Sequence, residues 1–142
     1  MQINIGIIRR CEQGFLRERL SAYHLKPIEG IVLASLRKKN RCNQESLCCC
    51  IDIDKGRMAR IMERLESRGL IHRVINPSNK REKLIELTKE GEEMLVLIDS
   101  FFSEWSECCF IGFTDEEKKQ YQNYLKRITE NALKGKEAYS HD

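Results

Sequence analysis

Hydrophobic residues recur every three or four positions along most of this chain, which is the spacing of one face of an α-helix. The pattern predicts six helices, over residues 3–23, 27–39, 43–50, 55–68, 89–109 and 114–139. Two runs of six residues, LIHRVI and KLIELT, are instead rich in β-branched residues and favour strands. The residues between them, NPSNKRE, include turn formers, so the two runs are predicted to pair as a hairpin with a seven-residue loop.

Several predicted helix ends coincide with residues that satisfy helix termini. Pro27 suits a first helical position, where its missing N–H costs nothing. Asn43 and Asp54 are good N-cap residues, and Gly69 suits a left-handed C-terminal cap. Thr114 opens the sequence TDEE, which has the form of a capping box. The chain is therefore predicted to be mainly α-helical with one small β-hairpin, an α+β arrangement.

The fourth predicted helix has two distinct faces when its residues are placed 100° apart. Its apolar face spans about 100° of arc and consists of Met58, Ile61, Met62 and Leu65. A neighbouring stripe about 80° wide consists of Arg57, Arg60, Arg64 and Arg68. Arginine donates two hydrogen bonds to guanine and neutralises phosphate, so this stripe suits the DNA major groove. The alternative is a surface helix whose arginines pair with glutamates or point into solvent.

The order of the elements favours DNA binding over the alternative. A helix, a short helix, a basic helix and a hairpin follow one another as in a winged helix, and the short helix 43–50 would support the basic one in helix-turn-helix fashion. Lys80 and Arg81 lie in the hairpin loop, from which basic side chains can reach the adjacent minor groove. Without DNA, the same loop would be an ordinary solvent-exposed turn.

The residues from 54 to 91, DKGRMARIMERLESRGLIHRVINPSNKREKLIELTKEG, resemble the recognition helix and wing of the MarR family of transcriptional regulators. The wing of that family commonly reads N-P-x-D-x-R and continues as a strand ending in L-T-x-x-G. The corresponding residues here are Asn76, Pro77, Asn79, Arg81, Ile85, Leu87, Thr88 and Gly91. LKPIEGIVLASL resembles the second helix of the family, and the terminal helices resemble its dimerisation helices. The resemblance thus covers nearly the whole chain.

The resemblance implies a single domain over residues 1–142. Residues 27–88 would form the winged helix-turn-helix DNA-binding lobe, and residues 1–26 and 89–142 would form dimerisation helices. It implies a homodimer on a pseudo-palindromic operator in double-stranded DNA, acting as a ligand- or stress-responsive repressor with a possible small-molecule effector. Two-fold symmetry would set the recognition helices about one DNA turn, roughly 34 Å, apart.

The residues predicted to contact DNA are Asn43, Lys55, Gly56, Arg57, Arg60, Arg64, Lys80 and Arg81. One departure from the family pattern concerns Asn79, since the family usually has an aspartate there that helps to hold the wing arginine. Asn79 can accept a hydrogen bond to support the wing but offers no charge. Lys80 stands where arginine is frequent and cannot make a bidentate contact, so it is predicted to contact phosphate.

Charge divides the chain into a basic and an acidic part. Residues 1–83 carry 18 Lys and Arg against 9 Asp and Glu, whereas residues 84–142 carry 7 against 13. A basic surface attracts nucleic acid, and the acidic part would stay away from the duplex. The longest stretch without a charged residue is eight residues, far below the roughly 20 apolar residues of a membrane span. With no secretory signal pattern at MQINIGIIRR, we expect a cytoplasmic protein without a membrane partner.

Seven cysteines are a further feature: Cys11, Cys42, Cys48, Cys49, Cys50, Cys108 and Cys109. Their odd number and the cytoplasmic expectation predict reduced thiols. No pair has the C-x-x-C spacing and neither H-x-E nor H-E-x-x-H occurs, so neither a metal site nor a cofactor is predicted. By the resemblance, Cys48 takes a small buried position, while Cys49 and Cys50 take outward positions. Those two are possible thiol sensors of an oxidant or a metal, and Cys108 and Cys109 are predicted to pack.

Two alternatives of other classes stay open. A thiol enzyme, such as a peroxidase or reductase, needs an activated thiolate beside a base, and no such catalytic group is evident in the sequence. A winged helix that binds protein instead of DNA is the second alternative, and the arginines of the fourth helix speak against it. We therefore predict a regulator and not an enzyme.

Overall fold

The computed structural model describes residues 2–37 and 42–139, which form six helices and three strands. They are α1 (Gln2–Ser21), α2 (Pro27–Leu36), β1 (Cys42–Asn43), α3 (Gln44–Ile51), α4 (Lys55–Ser67), β2 (Ile71–Asn76), β3 (Asn79–Leu87), α5 (Lys89–Cys109) and α6 (Asp115–Tyr139). The predicted fold class is confirmed, since all six helices and the hairpin are present. The predicted break after the second helix falls largely on residues 38–41, outside the described residues.

The described residues divide into two compact units between Trp105 and Ser106, within α5. The first unit contains α1 to α4, the sheet and most of α5, and the second contains the end of α5 and all of α6. The division of the chain into a lobe at 27–88 and flanking dimerisation helices stays a prediction.

The three strands form an antiparallel sheet in the order β1-β3-β2. Cys42 pairs with Ile85, and Ile71 pairs with Leu87. The predicted seven-residue hairpin loop is wrong, because the strands continue into it and leave only residues 77 and 78 between them. A register shift after Ile75 brings Asn76 opposite Asn79. These two residues pair at the end of the hairpin, and residues 77 and 78 form the turn between them. The two-residue strand β1 was not predicted, since two residues are too few to show an alternating pattern.

The core of the first unit lies between the helices and the inner face of the hairpin. Its most buried large side chains are Leu16, Leu20, Leu33, Leu47, Met58, Met62, Leu65, Ile71, Ile85 and Ile98. All four residues of the predicted apolar face of α4 are buried, which confirms that prediction. Each such side chain contributes about 1.5–3 kcal/mol by leaving water, so α4 is held firmly with its opposite face outward.

The hairpin joins α5 at a tight junction around Thr88. The hydroxyl of Thr88 donates to the carbonyl oxygen of Gly69 (2.6 Å) and accepts from the backbone N–H of Gly91 (3.0 Å). A Cβ placed on Gly91 would lie 1.9 Å from the carbonyl oxygen of Leu70. The L-T-x-x-G sequence is therefore explained by close backbone approach between the wing and the start of α5.

In the second unit, α6 begins with the predicted capping box. The N–H of Thr114 donates to Glu117 Oε2 (2.7 Å), and the N–H of Glu117 donates to Thr114 Oγ1 (3.2 Å). No residue of α6 is buried in the single chain, and its apolar side chains include the exposed Tyr121, Tyr124, Leu125, Ile128 and Leu133. None of the helices within the described ranges is long and apolar enough to cross a bilayer.

Candidate nucleic-acid interface

Helices α3 and α4 are joined by a three-residue turn that local hydrogen bonds define. Asn43 caps α3, since its Oδ1 accepts from the N–H of Ser46 (2.7 Å). Asp52 ends α3 in the left-handed conformation (φ 58°), which a short polar residue tolerates. Asp54 caps α4 by accepting from the N–H of Arg57 (2.8 Å). Both predicted N-caps are confirmed, and the turn fixes where α4 begins.

The outward face of α4 begins with Lys55, Gly56 and Arg57, all exposed, and continues with exposed Arg60. Arg57 and Arg60 border a groove of about 390 Å³ between α4 and the start of α2. Within the described ranges, no hydrogen bond or ion pair engages either guanidinium. Both can therefore meet an external acceptor without breaking an internal contact.

Arg64 has internal partners despite lying in the same predicted stripe. Its Nε lies 2.9 Å from Glu29 Oε1, and its Nη2 donates to the carbonyl oxygen of His24 (3.2 Å). Glu29 is only 2% exposed, and its other oxygen accepts the N–H of Lys26 (2.7 Å). A buried carboxylate needs a compensating charge, so a DNA contact by Arg64 would cost this pairing.

Arg68 is tied to the end of α1. Its two Nη atoms donate to the carbonyl oxygens of His24 (2.8 Å) and Tyr23 (2.6 Å). These carbonyls lie just past the last turn of α1, where helices leave acceptors without helical partners. Of the predicted stripe, Arg57 and Arg60 are therefore without described partners, whereas Arg64 and Arg68 connect α4 to α2 and to the end of α1. The predicted DNA contact of Arg64 stays a prediction.

The hairpin presents its own basic side chains. Lys80 and Arg81 are exposed near the start of β3. Asn79 Oδ1 accepts from the backbone N–H of Arg81 (3.2 Å), and Asn76 Oδ1 accepts from the N–H of Ser78 (3.0 Å). Asn79 therefore supports the backbone of the tip, while no described contact from it reaches the guanidinium of Arg81.

Glu82 is a site residue that the sequence did not reveal. Its Oε1 accepts from Asn43 Nδ2 and its Oε2 accepts from Asn76 Nδ2. These two hydrogen bonds, that of Asn43 first, hold the pKa of the Glu82 carboxyl below its usual value. They also engage the amide of Asn43, a predicted DNA contact. No local pattern marks this cluster, because Glu82 lies 39 residues from Asn43.

Comparison with known proteins decides the family. The MarR family model matches residues 27–83. The HTH-type transcriptional regulator BilQ of Clostridium symbiosum is 33% identical over 70% of this chain and 74% of its own length. The chain belongs to the MarR family. A further relative, the uncharacterized HTH-type transcriptional regulator YybA of Bacillus subtilis, is 31% identical over 89% of this chain and 85% of its own length.

Solved MarR-family structures share the fold. A regulator from Listeria monocytogenes, solved with a 26-mer DNA, superposes with a TM-score of 0.90 at 26% identity, over 95% of this chain and 90% of that one. A MarR regulator from Methanosarcina mazei gives 0.85 at 28% identity, over 94% and 96%. The chain is thus a MarR-family transcriptional regulator with a winged helix fold, as the sequence predicted.

The cysteines of this MarR-family chain lie in different environments. Cys48 is buried as predicted, and burial, followed by the neighbouring Cys49 thiol, raises the pKa of its thiol. Cys49 and Cys50 are exposed on α3, also as predicted. Cys108 and Cys109 are exposed, so their predicted packing is wrong for the single chain. Among residues 2–37 and 42–139, no three His, Cys, Asp or Glu side chains are grouped to hold a metal ion.

Proposed function

We propose that this MarR-family regulator binds a pseudo-palindromic DNA duplex as a homodimer. The observation that carries the proposal is the pair of available arginines, Arg57 and Arg60, on the exposed face of a well-anchored α4. In this arrangement α4 enters the major groove, and the wing lies over the adjacent minor groove. The relative from Listeria monocytogenes, solved with DNA, supports the same mode of binding here.

Each predicted residue takes a role in this proposal according to its contacts. Arg57 and Arg60 read base edges, and Lys55 and Gly56 lie near the same edges at the start of α4. Lys80 neutralises phosphate and Arg81 enters the minor groove. We assign Asn43 and Arg64 a bracing role, because their side chains are engaged within the fold.

Repression and response to an effector are the finer parts of the proposal. A dimer seated on its operator blocks access to that DNA, so repression is the proposed sign of regulation. An effector would act by binding better to a state in which the recognition helices are wrongly spaced. The cytoplasmic location stays a prediction. Membership of a regulator family favours this function over the thiol enzyme.

Selection of duplexes from a random library, followed by salt titration of the selected site, tests the proposal. We expect a two-fold symmetric site and a steep salt slope under reducing conditions. Arg60→Ala should cost about 1–3 kcal/mol on that site and relax base preference at one position of each half-site. Lys80→Ala is the matched control, which should weaken all duplexes alike and lower the salt slope by about 1. If the selection enriches no sequence, the proposal is contradicted.

We also propose that oxidation at Cys49 or Cys50 reduces DNA affinity. Both thiols are exposed on α3, shortly before the recognition helix begins. Peroxide converts a thiolate to a sulfenic acid and is itself reduced to water. Peroxide should weaken binding by the wild type but not by the variant with both cysteines changed to serine. Equal loss in both proteins would refute a role for these thiols.

A further inference from the structure

Glu82 connects three parts of the winged helix. One carboxylate oxygen accepts from Asn43, which caps α3, and the other accepts from Asn76 at the end of β2. Glu82 itself lies on β3, next to Arg81. Its single side chain therefore joins the first turn of α3 to both strands of the hairpin.

The two contacts require a group with two acceptors. Asn43 and Asn76 each present an amide NH₂ group to Glu82, while their own Oδ1 atoms accept from Ser46 and Ser78. The carboxylate accepts from each amide with a separate oxygen, whereas a glutamine in the same position would set its NH₂ group against one of the two amide NH₂ groups. The lowered pKa of Glu82 keeps the carboxylate ionised, and therefore able to accept twice, over a wider pH range.

The position of this cluster bears on the wing. A groove of about 490 Å³ separates the start of α3 from the hairpin, and Asn43, Arg81 and Glu82 are among its lining residues. The register shift after Ile75 interrupts the ladder near the tip. The hydrogen bond between Glu82 and Asn43 joins two lining residues of this groove and adds a side-chain contact near the tip to the pairing of β1 with β3.

The negative charge of Glu82 is unfavourable at this position if the surface approaches DNA. Glu82 lies between Arg81 and Lys83 on a surface that, in the proposed function, approaches phosphate. A negative charge there weakens attraction to a polyanion. If Glu82 strengthens DNA binding, it must therefore do so by holding other residues in place and not by its charge. Whether affinity falls or rises when the charge is removed distinguishes the two effects.

We propose that Glu82 is a positioning residue for DNA binding, whose bridge between Asn43 and Asn76 fixes the wing against α3 so that Arg81 meets the minor groove while α4 occupies the major groove. The inference rests on the proposed function. Arg81 supplies the contact with DNA, and Glu82 supplies the orientation of Arg81.

Duplex affinity of Glu82→Gln tests the inference by its sign. We expect binding to weaken roughly threefold to tenfold, the equivalent of one hydrogen bond of ordinary net strength, although a negative charge is removed. Glu45→Gln is the matched control, since Glu45 is an exposed acid in the lining of the same groove. Removing its charge should leave affinity unchanged or raise it. Unchanged or tighter binding by Glu82→Gln would overturn the inference.

A charge-conserving swap and a double-mutant cycle separate positioning from general damage. In Asn76→Asp/Glu82→Gln the polarity of one hydrogen bond is reversed and the net charge is kept, so affinity should return toward that of the wild type. In an Arg81→Ala background, Glu82→Gln should have almost no further effect. An equal loss in that background, or no rescue by the swap, would refute positioning of Arg81.

Two further measurements keep the outcome clear. Thermal unfolding establishes that each variant is folded at the assay temperature, and Asn76→Ala replaces Glu82→Gln in the cycle if the latter does not fold. Failure of the wild type to select any duplex would overturn the proposed function. Selection of a duplex together with an unaltered affinity of Glu82→Gln would overturn only the role of Glu82.

Discussion

At the scale of single residues, the three arginines of α4 and Arg68, which caps its C-terminus, separate into two pairs with different surroundings. Arg57 and Arg60 are exposed without described partners. Arg64 compensates a buried glutamate, and Arg68 satisfies carbonyl oxygens past the end of α1. Helical spacing places all four on one stripe, but the partners of Arg64 and Arg68 come from α2 and from the turn after α1. The same residue type is thus available for the proposed DNA contact in one turn and has internal partners in the next.

Arg64→Ala should lower the free energy of unfolding by about 1–3 kcal/mol, because it leaves the buried carboxylate of Glu29 without its charge partner. Chemical denaturation measures the change. Arg60→Ala is the matched control from the preceding turn, and its stability should stay within about 0.5 kcal/mol of the wild type. A stable Arg64→Ala protein with greatly weakened DNA binding would instead indicate that Arg64 contacts DNA.

At the scale of elements, the hairpin and α5 are joined where their backbones touch. The hydroxyl of Thr88 accepts from the N–H of Gly91 and donates to the carbonyl of Gly69. This side chain therefore connects the end of the hairpin to the first turn of α5. The carbonyl of Leu70 occupies the space of a Cβ on Gly91. The direction in which α5 leaves the winged helix is therefore set by this junction.

Gly91→Ala should destabilise the protein by about 3 kcal/mol, since the new methyl group meets a backbone oxygen that cannot rotate away. Gly14→Ala, in α1, is the control. A Cβ there meets no atom within 4 Å, and the substitution should stabilise the helix by about 0.5–1 kcal/mol. Urea denaturation of the two variants measures the difference, and equal stabilities would contradict the proposed tight junction.

At the scale of the whole molecule, each unit exposes apolar side chains that a single chain does not cover. In the first unit these include Ile3 and Ile5 of α1, and in the second they include Leu125 and Ile128 of α6. Apolar surface of this kind is typical of an interface. It supports the proposed homodimer, in which a second copy would cover it.

Ile128→Asp should convert the dimer to a monomer, because it replaces a side chain whose burial contributes about 1.5–3 kcal/mol with a charge. Light scattering coupled to size exclusion measures the mass. Asn123→Asp adds the same charge about 140° away around α6 and should leave the mass of the dimer unchanged. A wild type that is monomeric at assay concentrations would contradict the homodimer.

Stability should also fall on acidification. Hydrogen bonds from Arg19 hold the pKa of Glu104 below the usual 4.5, and contacts with Thr114 lower the pKa of Glu117. A carboxyl with a lower pKa in the folded state stabilises above the unfolded pKa, and that contribution is lost as pH falls through the folded pKa. Glu12 opposes the trend, since burial raises its pKa.

Thermal unfolding of Glu104→Gln and the wild type at pH 7 and pH 3 tests the pH-dependent contribution of Glu104 to stability. The variant should melt below the wild type at pH 7, and the difference should shrink at pH 3, which lies below the usual 4.5 at which this carboxyl titrates in the unfolded chain. Glu107→Gln, at an exposed position later in the same helix, controls for the loss of one charge. A difference that is equal at both pH values would refute the contribution of the Arg19–Glu104 pair.

The sequence by itself determined the helices, most of their ends and the family. Helix propensity, apolar spacing and caps such as Asp54 and Thr114 act within a few residues, so a linear reading detects them. The apolar face of α4 and the burial of Cys48 follow from the same periodicity. The family motif around the wing could also be recognised from the sequence, because its residues are close together along the chain.

Packing between distant segments determines which basic residues have internal partners and how Glu82 connects the hairpin to α3. Arg64 meets Glu29 and Glu82 meets Asn43 across more than thirty positions, and no local pattern encodes such pairings. The turn has two residues instead of the predicted seven because a register shift after Ile75 lets Asn76 pair with Asn79, a pairing that the linear pattern does not show. Local sequence was therefore enough to predict candidate DNA-contacting residues, whereas the surroundings of these residues depend on contacts that form only when distant segments pack.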